Sequence, residues 1–206
     1  MKELLIATGN TGKFREFAAL FAESGVKLYS LKDFPALLPA VEDGATFKEN
    51  ALKKAAAAAK ETGLPVIADD SGLCVDALDG RPGVLSARFA GEGCGDGANN
   101  RKLLQELAGV PKEQRSAAFR CVIALCAPEG FGATFDGELR GFILERPSGS
   151  GGFGYDPLFM VPEYGKTLAE LPLEIKNRIS HRGIATEALR EYLLISKFLN
   201  QRLDIS

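Results

Sequence analysis

The sequence predicts an α/β protein, in which strands and helices alternate first and a β-hairpin follows. Residues 2–7 are a strand-like apolar run that leads through a glycine-bearing loop into a segment with helical apolar spacing. An alanine-rich helix and a second apolar run at 64–68 continue the alternation. Alternating apolar residues at 117–125, a turn and a returning strand at 133–144 predict the hairpin. A chain of 206 residues that is 46% apolar can bury one good core, so we expect a single domain over residues 1–206.

The first loop has the order expected of a phosphate-binding turn. It consists of six residues between a strand and a helix, namely Thr8, Gly9, Asn10, Thr11, Gly12 and Lys13. Glycines let the backbone approach a ligand, and the amides of a first helical turn favour an anion, to which Lys13 adds a positive charge. The glycines stand too close together for a Walker A loop, and Phe14 takes the place of its Ser or Thr. On this segment alone, an ordinary strand-to-helix turn is the simpler interpretation.

The alanine-rich helix has signals at both ends. Thr46 and Glu49 predict a capping box at its start, and Gly63 followed by Pro65 ends it. The residues expected on one face are Phe47, Ala51, Ala55 and Ala58. Small side chains on that face predict close packing against a sheet or another helix.

Two adjacent carboxylates, Asp69 and Asp70, follow the second apolar run and precede Ser71 and Gly72. We expect the strand to end there in a glycine-bearing turn. Adjacent acids are costly to keep ionised together unless a cation lies between them or one keeps a proton, and both arrangements belong to a functional site. The structural alternative is a turn in which aspartates cap backbone amides, and this segment alone does not separate the two.

Three further elements are predicted downstream. A helix at about 98–107 is followed by Gly109 and Pro111. Residues 148–152, which read Ser-Gly-Ser-Gly-Gly, are interpreted as a mobile loop over a site, because the run is too short to separate domains. A C-terminal helix at 185–199 should dock on the core. Its apolar side chains are Leu189, Leu193, Ile195 and Phe198.

Two clusters in the last third of the chain suit recognition of a planar, acceptor-rich ligand. The first consists of four consecutive residues, Phe153, Gly154, Tyr155 and Asp156. Aromatic rings and a carboxylate around a glycine can stack on a ring and hydrogen-bond its edge. The second consists of three donors within seven residues, Lys176, His181 and Arg182. Alone, the first cluster could be a turn before a strand, and a lone histidine is usually structural.

Composition argues against several classes of function. A formal net charge of −2 and a sequence pI near 5.6 argue against binding to a nucleic-acid backbone. We find no signal segment and no apolar run near the roughly 20 residues of a membrane helix. Cys74, Cys94, Cys121 and Cys126 form no CxxC pair, which is typical of reduced thiols. We therefore expect a cytoplasmic protein whose partners are small molecules or proteins, with no nucleic acid and no membrane.

Six segments of the chain, taken in order, resemble the inosine triphosphate pyrophosphatase family, also called XTP/dITP diphosphatases. The resemblance is collinear over nearly the whole chain, and six motifs in order are far more specific than any one of them. The motifs are Thr8-Gly9-Asn10-x-Gly12-Lys13, Glu42-x-Gly44-x-Thr46-Phe47-x-Glu49-Asn50-Ala51, Ala68-Asp69-Asp70-Ser71-Gly72-Leu73, Pro82-Gly83-x-x-Ser86-Ala87-Arg88, Gly152-Phe153-Gly154-Tyr155-Asp156-Pro157 and Ser180-His181-Arg182.

The resemblance implies a magnesium-dependent hydrolase that converts ITP, dITP and XTP to the monophosphate and pyrophosphate. It also implies a mixed, elongated sheet flanked by helices, two lobes around a central substrate cleft, and a homodimer. Residues 8–13 and Ser71 would bind the substrate, and Glu42 and Asp70 would hold Mg²⁺. Asp70 matches the family position of the proton acceptor, and we expect Asp69 to set its charge state.

Base selection would depend on the two downstream clusters. Hypoxanthine and xanthine present an O6 acceptor where adenine has an amino donor, so donors such as His181 and Arg182 would favour the first two bases. Phe153 and Tyr155 would stack on the ring, and Lys176 would contact base or phosphate. Two alternatives stay open: a septum-formation-type nucleotide pyrophosphatase of other specificity, and a nucleotide-binding sensor without catalysis.

Overall fold

The computed structural model of the protein describes residues 2–22, 24–130 and 132–196. In this part of the chain, one mixed sheet is formed by β1 (Lys2–Ile6), β2 (Val26–Ser30), β3 (Val66–Val75), β4 (Ser116–Cys126), β5 (Gly132–Ile143), β6 (Phe159–Val161) and β7 (Lys166–Thr167). The strand order is β2-β1-β3-β4-β5-β6-β7. Strand β1 pairs in parallel with β2 and β3, whereas β6 pairs antiparallel with β5 and β7.

Five α-helices accompany the sheet in the described residues. They are α1 (Thr11–Phe21), α2 (Phe47–Thr62), α3 (Asp96–Glu106), α4 (Leu173–Ile179) and α5 (His181–Ser196), with 3₁₀ turns at Leu31–Asp33, Asp76–Leu78, Gly83–Arg88 and Lys112–Gln114. Helix α1 joins the parallel strands β1 and β2, as a parallel connection requires. The α/β prediction is confirmed.

Helix α2 begins and ends where the sequence predicts. The Thr46 hydroxyl accepts from the Glu49 amide at 3.2 Å, and Gly63 ends the helix with φ 66°. The reciprocal bond of the capping box differs, because the Glu49 carboxylate accepts from the Ala45 amide at 2.7 Å and therefore reaches one residue beyond Thr46.

The predicted turn at residues 69–72 is wrong, because β3 continues through both aspartates to Val75. Gly72 has a different role in the strand. A Cβ added there would clash with the Gly83 carbonyl oxygen and lie 3.0 Å from Ser86 Cβ. Ser86 Oγ in turn accepts from the Leu73 amide at 2.9 Å. The glycine therefore permits close packing of β3 on the Gly83–Arg88 turn.

The glycines of residues 148–152 are also explained by packing. Ser148 N–H donates to the Pro157 carbonyl at 2.9 Å, and Gly151 N–H donates to the Ala169 carbonyl at 3.1 Å. A Cβ on Gly149 would lie 2.8 Å from Ala169. The segment that we interpreted as a mobile loop is thus held by backbone hydrogen bonds.

The last helix, α5, starts four residues before the predicted position, at His181. Leu189 is fully buried and Leu193 is half-buried, as expected of a docked face. The Ile195 side chain and all of Phe198 lie outside the described residues. The predicted helix at 98–107 is confirmed as α3.

The chain divides into two compact units, each with its own core. The first unit comprises Met1–Asp70, Val122–Gly137 and the residues from Arg182 onward, and the second comprises Ser71–Cys121 and Glu138–His181. In the first unit, alanines of α2 pack with buried residues of β1 and β3, as the small-residue face predicts. The core of the second unit contains larger side chains than that of the first, among them Leu73, Leu103, Phe119, Leu158 and Phe159.

The described residues hold no helix that is both long and apolar enough to cross a membrane. The four cysteines, all within the described residues, form no disulfide: Cys121 and Cys126 are buried, Cys74 is half-buried and Cys94 is exposed.

Candidate functional site

The adjacent carboxylates Asp69 and Asp70 have different partners. Successive side chains of a strand point to opposite faces, so the two acids of β3 do not face each other. Asp69 Oδ2 lies 2.9 Å from Lys13 Nζ and 3.3 Å from Arg182 Nη2. Asp70 accepts a hydrogen bond from Asn50 Nδ2 at 3.0 Å. Strand geometry therefore separates two charges that the sequence places side by side.

The same geometry drives the pKa values of the two acids apart. Burial favours the neutral form of Asp69, but the positive charges of Lys13 and Arg182 overcome it and hold the pKa well below its usual range. Burial raises the pKa of Asp70, and the nearby Lys54 charge and the Asn50 hydrogen bond offset only part of that effect. Asp69 therefore stays ionised to lower pH than an ordinary aspartate, whereas Asp70 binds a proton more readily than one.

Arg182 is held between two carboxylates in the first unit. Its Nη1 donates to the Glu16 carboxylate, and its Nε and Nη2 lie 3.4 and 3.3 Å from Asp69 Oδ2. Arg182 and Glu16 are 2% and 3% exposed, respectively. A guanidinium suits this bridging position, because its planar fork can serve two acceptors at once. These contacts make Arg182 a positioning residue for Asp69, and its contact with a base stays a prediction.

The loop at residues 8–13 is organised around Asn10. Asn10 is the N-cap of α1, and its Oδ1 accepts from the amides of Gly12 at 2.8 Å and Lys13 at 3.1 Å. Its own amide donates to Thr8 Oγ1 at 3.2 Å. The first-turn amides that we expected to meet an anion are therefore engaged by the Asn10 side chain. Gly9, Asn10 and Thr11 are exposed.

Glu42 and Asp70 converge on one ammonium group. Lys54 Nζ lies 3.1 Å from Glu42 Oε2 and 3.5 Å from Asp70 Oδ1. Carboxylate oxygens are ligands that Mg²⁺ prefers, and the position of Lys54 indicates that these two acids can share a cation. In residues 2–22, 24–130 and 132–196, no three His, Cys, Asp or Glu side chains form a group that could hold a metal. A metal at Glu42 and Asp70 would therefore complete its coordination with water and phosphate oxygens.

Asn50 connects the Glu42 segment to Asp70. This buried residue of α2 donates to Asp70 through Nδ2, and its Oδ1 accepts from the Gly44 amide at 2.7 Å. A Cβ on Gly44 would lie 2.6 Å from Asn50 Oδ1, so only glycine permits this approach. One amide side chain thereby fixes the distance between two segments that each supply a carboxylate.

In the second unit, Asp156 organises the aromatic cluster. Its Oδ2 accepts from Lys176 Nζ at 2.7 Å and from the Phe153 amide at 2.9 Å. Lys176 Nζ also lies 4.7 Å from the centroid of the Phe153 ring, a cation–π contact. Lys176 and Asp156 are each 4% exposed. Three of the predicted substrate-binding residues therefore form one contiguous group.

The other predicted residues of this unit have structural contacts of their own. Tyr155 is buried in the core, and its hydroxyl donates to the Ser86 carbonyl at 2.9 Å. Burial and the charge of Asp96 raise its pKa. The His181 ring stacks on Phe119 with centroids 4.8 Å apart and an interplanar angle of 9°. Ser71 is half-buried in β3. Lys176 and Arg182, predicted as one donor cluster, are bound to different carboxylates.

Comparison with known proteins identifies the family. The model of the Ham1 family matches residues 4–192 of the chain. The chain belongs to the Ham1 family. It is 61% identical over 193 residues to a protein of Geobacter sulfurreducens named dITP/XTP pyrophosphatase, covering 94% of this chain and 97% of that protein. A dITP/XTP pyrophosphatase of Geobacillus kaustophilus is 57% identical over 191 residues, 93% of this chain and 94% of that protein.

Solved structures of Ham1 proteins have the same fold. The Ham1 protein of Staphylococcus aureus is 42% identical with a TM-score of 0.85, covering 95% of this chain and 100% of that chain. A HAM1 protein of Coxiella burnetii is 42% identical with a TM-score of 0.86, covering 94% of this chain and 99% of that chain. The resemblance stated from the motifs is thereby confirmed.

Sequence reasoning assigned no role to several polar residues that contact the predicted site residues or the loops that hold them. They are Glu16, Asn50 and Lys54 in the first unit and Asp96 and Asn100 in the second. The sequence contained a signal for two pairs of these residues. Asn50 and Lys54 stand four residues apart in α2, and so do Asp96 and Asn100 in α3, a spacing that places both side chains on one helix face. Glu16 had no such signal.

Proposed function

We propose that this protein hydrolyses deaminated purine nucleoside triphosphates, namely ITP, dITP and XTP, to the monophosphate and pyrophosphate. The names of its relatives support this reaction. The observation that carries it is the convergence of Glu42 and Asp70 on Lys54, beside the Lys13–Asp69 pair. This arrangement combines two acids for a divalent cation with two lysines for a polyanion.

The first unit supplies the phosphate chemistry in this proposal. Bound at Glu42 and Asp70, Mg²⁺ would neutralise phosphate charge and polarise the bond that breaks. Lys13 and residues 8–13 would bind the triphosphate, with Lys13 exchanging Asp69 for a phosphate oxygen. Lys54 adds a second positive charge beside the carboxylates. Such fixed charges stabilise a transition state because they need no reorganisation during the reaction.

Asp70 is proposed as the proton acceptor for the attacking water. Its raised pKa suits a general base better than that of an ordinary aspartate, because proton transfer improves as the pKa of the base rises toward the working pH. Asn50 fixes one oxygen of this carboxylate and leaves the other toward Lys54. Asp69 would contribute a constant negative charge rather than accept a proton.

The second unit supplies base recognition in this proposal. Phe153, with Lys176 against its ring and Asp156 at its amide, would stack on the purine. Donors such as Lys176 and His181 would then face the O6 acceptor of hypoxanthine or xanthine. An amino group at that position would leave a buried donor unpaired, so ATP would be rejected.

The test is pyrophosphate release from ITP, dITP, XTP, ATP, GTP, UTP and dCTP, with and without Mg²⁺. We expect metal-dependent release confined to the first three. Asp70→Asn should abolish most turnover, while Asp136→Asn, which changes an exposed aspartate of β5, should not. Preference for a pyrimidine would favour the septum-formation-type enzyme, and tight ITP binding without turnover would favour the sensor. Light scattering of the same samples tests the homodimer.

A further inference from the structure

Helix α3 holds both backbone polar groups of Gly154. Asp96 Oδ2 accepts from the Gly154 amide at 2.7 Å, and Asn100 Nδ2 donates to the Gly154 carbonyl at 3.0 Å. The two side chains are four residues apart and so project from one face of the helix. The two peptide groups that flank the Gly154 Cα therefore each receive a side-chain hydrogen bond from an element about 55 residues away in sequence.

The residue held in this way, Gly154, directly follows Phe153 in the chain. Gly154 has φ +60°, a conformation in which other residues are strained. On one side the Phe153 amide is fixed by Asp156, and on the other the Tyr155 hydroxyl is fixed by Ser86. Without α3, the backbone between these two anchors would keep the rotational freedom of glycine. The contacts of Asp96 and Asn100 remove that freedom.

Helix α3 is itself anchored, so that it can serve as a rigid support. Asn99 Oδ1 accepts from the Ala90 amide at 2.8 Å, and its Nδ2 donates to the Ala87 carbonyl at 3.2 Å. Lys102 Nζ donates to the Phe89 carbonyl at 2.6 Å. Leu103 is fully buried in the core of the second unit. The first two turns of α3 are thus tied to the surrounding structure.

The orientation of both clamping side chains is determined. Asp96 lies in the first turn of α3, where a carboxylate is stabilised by the helix N-terminus, and it accepts a charge-assisted bond from Gly154. Asn100 Oδ1 is buried and has no hydrogen-bond partner among the described residues. The Gly154 carbonyl requires a donor, which only the Nδ2 end of this amide supplies.

We propose that Asp96 and Asn100 are positioning residues that determine base selectivity, because they hold the Phe153 ring where a purine stacks on it. This inference rests on the proposed function, which assigns Phe153 to the base. A fixed ring lets the donors of the second unit meet O6 only in one alignment. A loosened ring weakens that alignment and therefore affects ITP more than ATP.

The test compares four variants with the wild-type enzyme. Asp96→Ala removes the acceptor, whereas Asp96→Asn retains an oxygen that can accept from the Gly154 amide. Asn100→Asp keeps the shape of the side chain but replaces its donor by an acceptor. Gln105→Ala, at an exposed position of the same helix, is the matched control. The readouts are kcat and KM for ITP and ATP, and amide hydrogen exchange of peptides that cover residues 152–158.

For Asp96→Ala and Asn100→Asp we expect faster exchange at residues 152–158 and a fall of roughly tenfold in the ITP-to-ATP ratio of kcat/KM, equivalent to the loss of one good hydrogen bond. The change should be mainly in KM for ITP. Asp96→Asn should recover most of the ratio, and Gln105→Ala should match the wild type.

Two results would overturn the inference while leaving the proposed function intact. One is faster exchange with an unchanged ITP-to-ATP ratio. The other is an equal loss of kcat for both nucleotides that Asp96→Asn does not rescue. Failure of the wild-type enzyme to release pyrophosphate from ITP would instead overturn the proposed function, and the exchange data would still report whether the clamp exists.

Discussion

Lys13 Nζ lies 2.9 Å from Asp69 Oδ2, so the lysine of the glycine-bearing loop is held by the first of the two adjacent acids. The Asp69 side chain is fully buried, and that of Lys13 is 15% exposed. A lysine held in this way is oriented before a polyanion arrives. In the proposed function, transfer of Lys13 to a phosphate would leave Asp69 with its contact to Arg182.

The pH dependence of stability should report the ionisation of Asp69. Its folded-state pKa is lowered, so the stability that it contributes is present above the unfolded pKa of about 3.9 and is lost as pH falls below it. Urea unfolding should show the wild type about 3 kcal/mol more stable than Asp69→Asn at pH 6. The difference should shrink as pH falls from about 4 toward the lowered pKa of folded Asp69. A difference that stays constant over this range would contradict the prediction.

Lys54 should compete with a divalent cation in the free enzyme. Lys54→Met removes a positive charge that lies within 3.5 Å of both Glu42 and Asp70. Affinity for Mg²⁺ without nucleotide, measured by calorimetry, should therefore rise roughly tenfold. The neighbouring Lys53 pairs only with the exposed Asp43 among the described ion pairs, at 2.6 Å, and Lys53→Met is the control. If Lys53→Met raised the Mg²⁺ affinity as much as Lys54→Met, the contacts of Lys54 with Glu42 and Asp70 would not explain the effect.

Asn50 should matter for both stability and turnover. Asn50→Ala leaves the Gly44 amide and one Asp70 oxygen without their partner, at a cost of about 1–3 kcal/mol. Asn50→Asp retains an acceptor for the Gly44 amide but brings a second carboxylate against Asp70. We therefore expect kcat to be lower for Asn50→Asp than for Asn50→Ala. Steady-state kinetics and urea unfolding measure these effects. If Asn50→Asp kept wild-type kcat, the contact with Asp70 would have no part in catalysis.

Arg182→Ala should act first on stability. The change leaves Glu16 and Asp69 as buried carboxylates without their shared guanidinium, which costs about 3–5 kcal/mol. Arg190→Ala removes an exposed pair with Glu187 from the same helix and should cost less than about 1 kcal/mol. Denaturant unfolding distinguishes the two. An Arg182→Ala enzyme of normal stability that loses its preference for ITP would establish base contact instead.

Gly72→Ala should be strongly destabilising, although alanine is ordinarily accepted at a strand position. Its Cβ would clash with the Gly83 carbonyl, a backbone atom that cannot rotate away, so we expect a loss of about 2–3 kcal/mol. Gly97→Ala is the control, because its Cβ would lie 3.5 Å from the mobile end of Arg101 and the helix should gain about 1 kcal/mol. Thermal unfolding of both variants measures the difference.

The parts of the fold that follow from local chemistry were predictable. The bounds of α2 depend on the Thr46 hydroxyl and on the left-handed Gly63, which act within a few residues of the helix ends. The continuation of β3 through residues 69–72 was not predictable, because the partners that stabilise charged residues inside this strand come from distant segments. Lys13 and Arg182 lie 56 and 113 residues from Asp69, separations over which spacing carries no signal.

In the candidate site, too, features set by local sequence were predictable and those set by distant contacts were not. Asp69 and Asp70 stood out in the sequence because they follow an apolar run, whereas Glu42 was predicted only through the resemblance to the family. The contacts of each acid depend on the alternation of side chains along β3 and on tertiary packing. The sequence analysis ended the strand at these two acids, so it could not predict either. The role of glycine was misjudged for the same reason, since Gly72, Gly149 and Gly151 permit close packing with residues that sequence does not place nearby.

Strand β3 pairs with β1 in a defined register, with Leu5 opposite Val66 and Ile6 opposite Ile67. A slip by one residue reverses which face every side chain occupies. In this protein, a slip that brought Asp70 to the place of Asp69, beside Lys13 and Arg182, would bring Ser71 to the place of Asp70, beside Asn50. The register of this buried strand therefore decides which side chain meets which partner, and a one-residue deletion at 66–68 would place Ser71 instead of a carboxylate beside Asn50 without changing either aspartate.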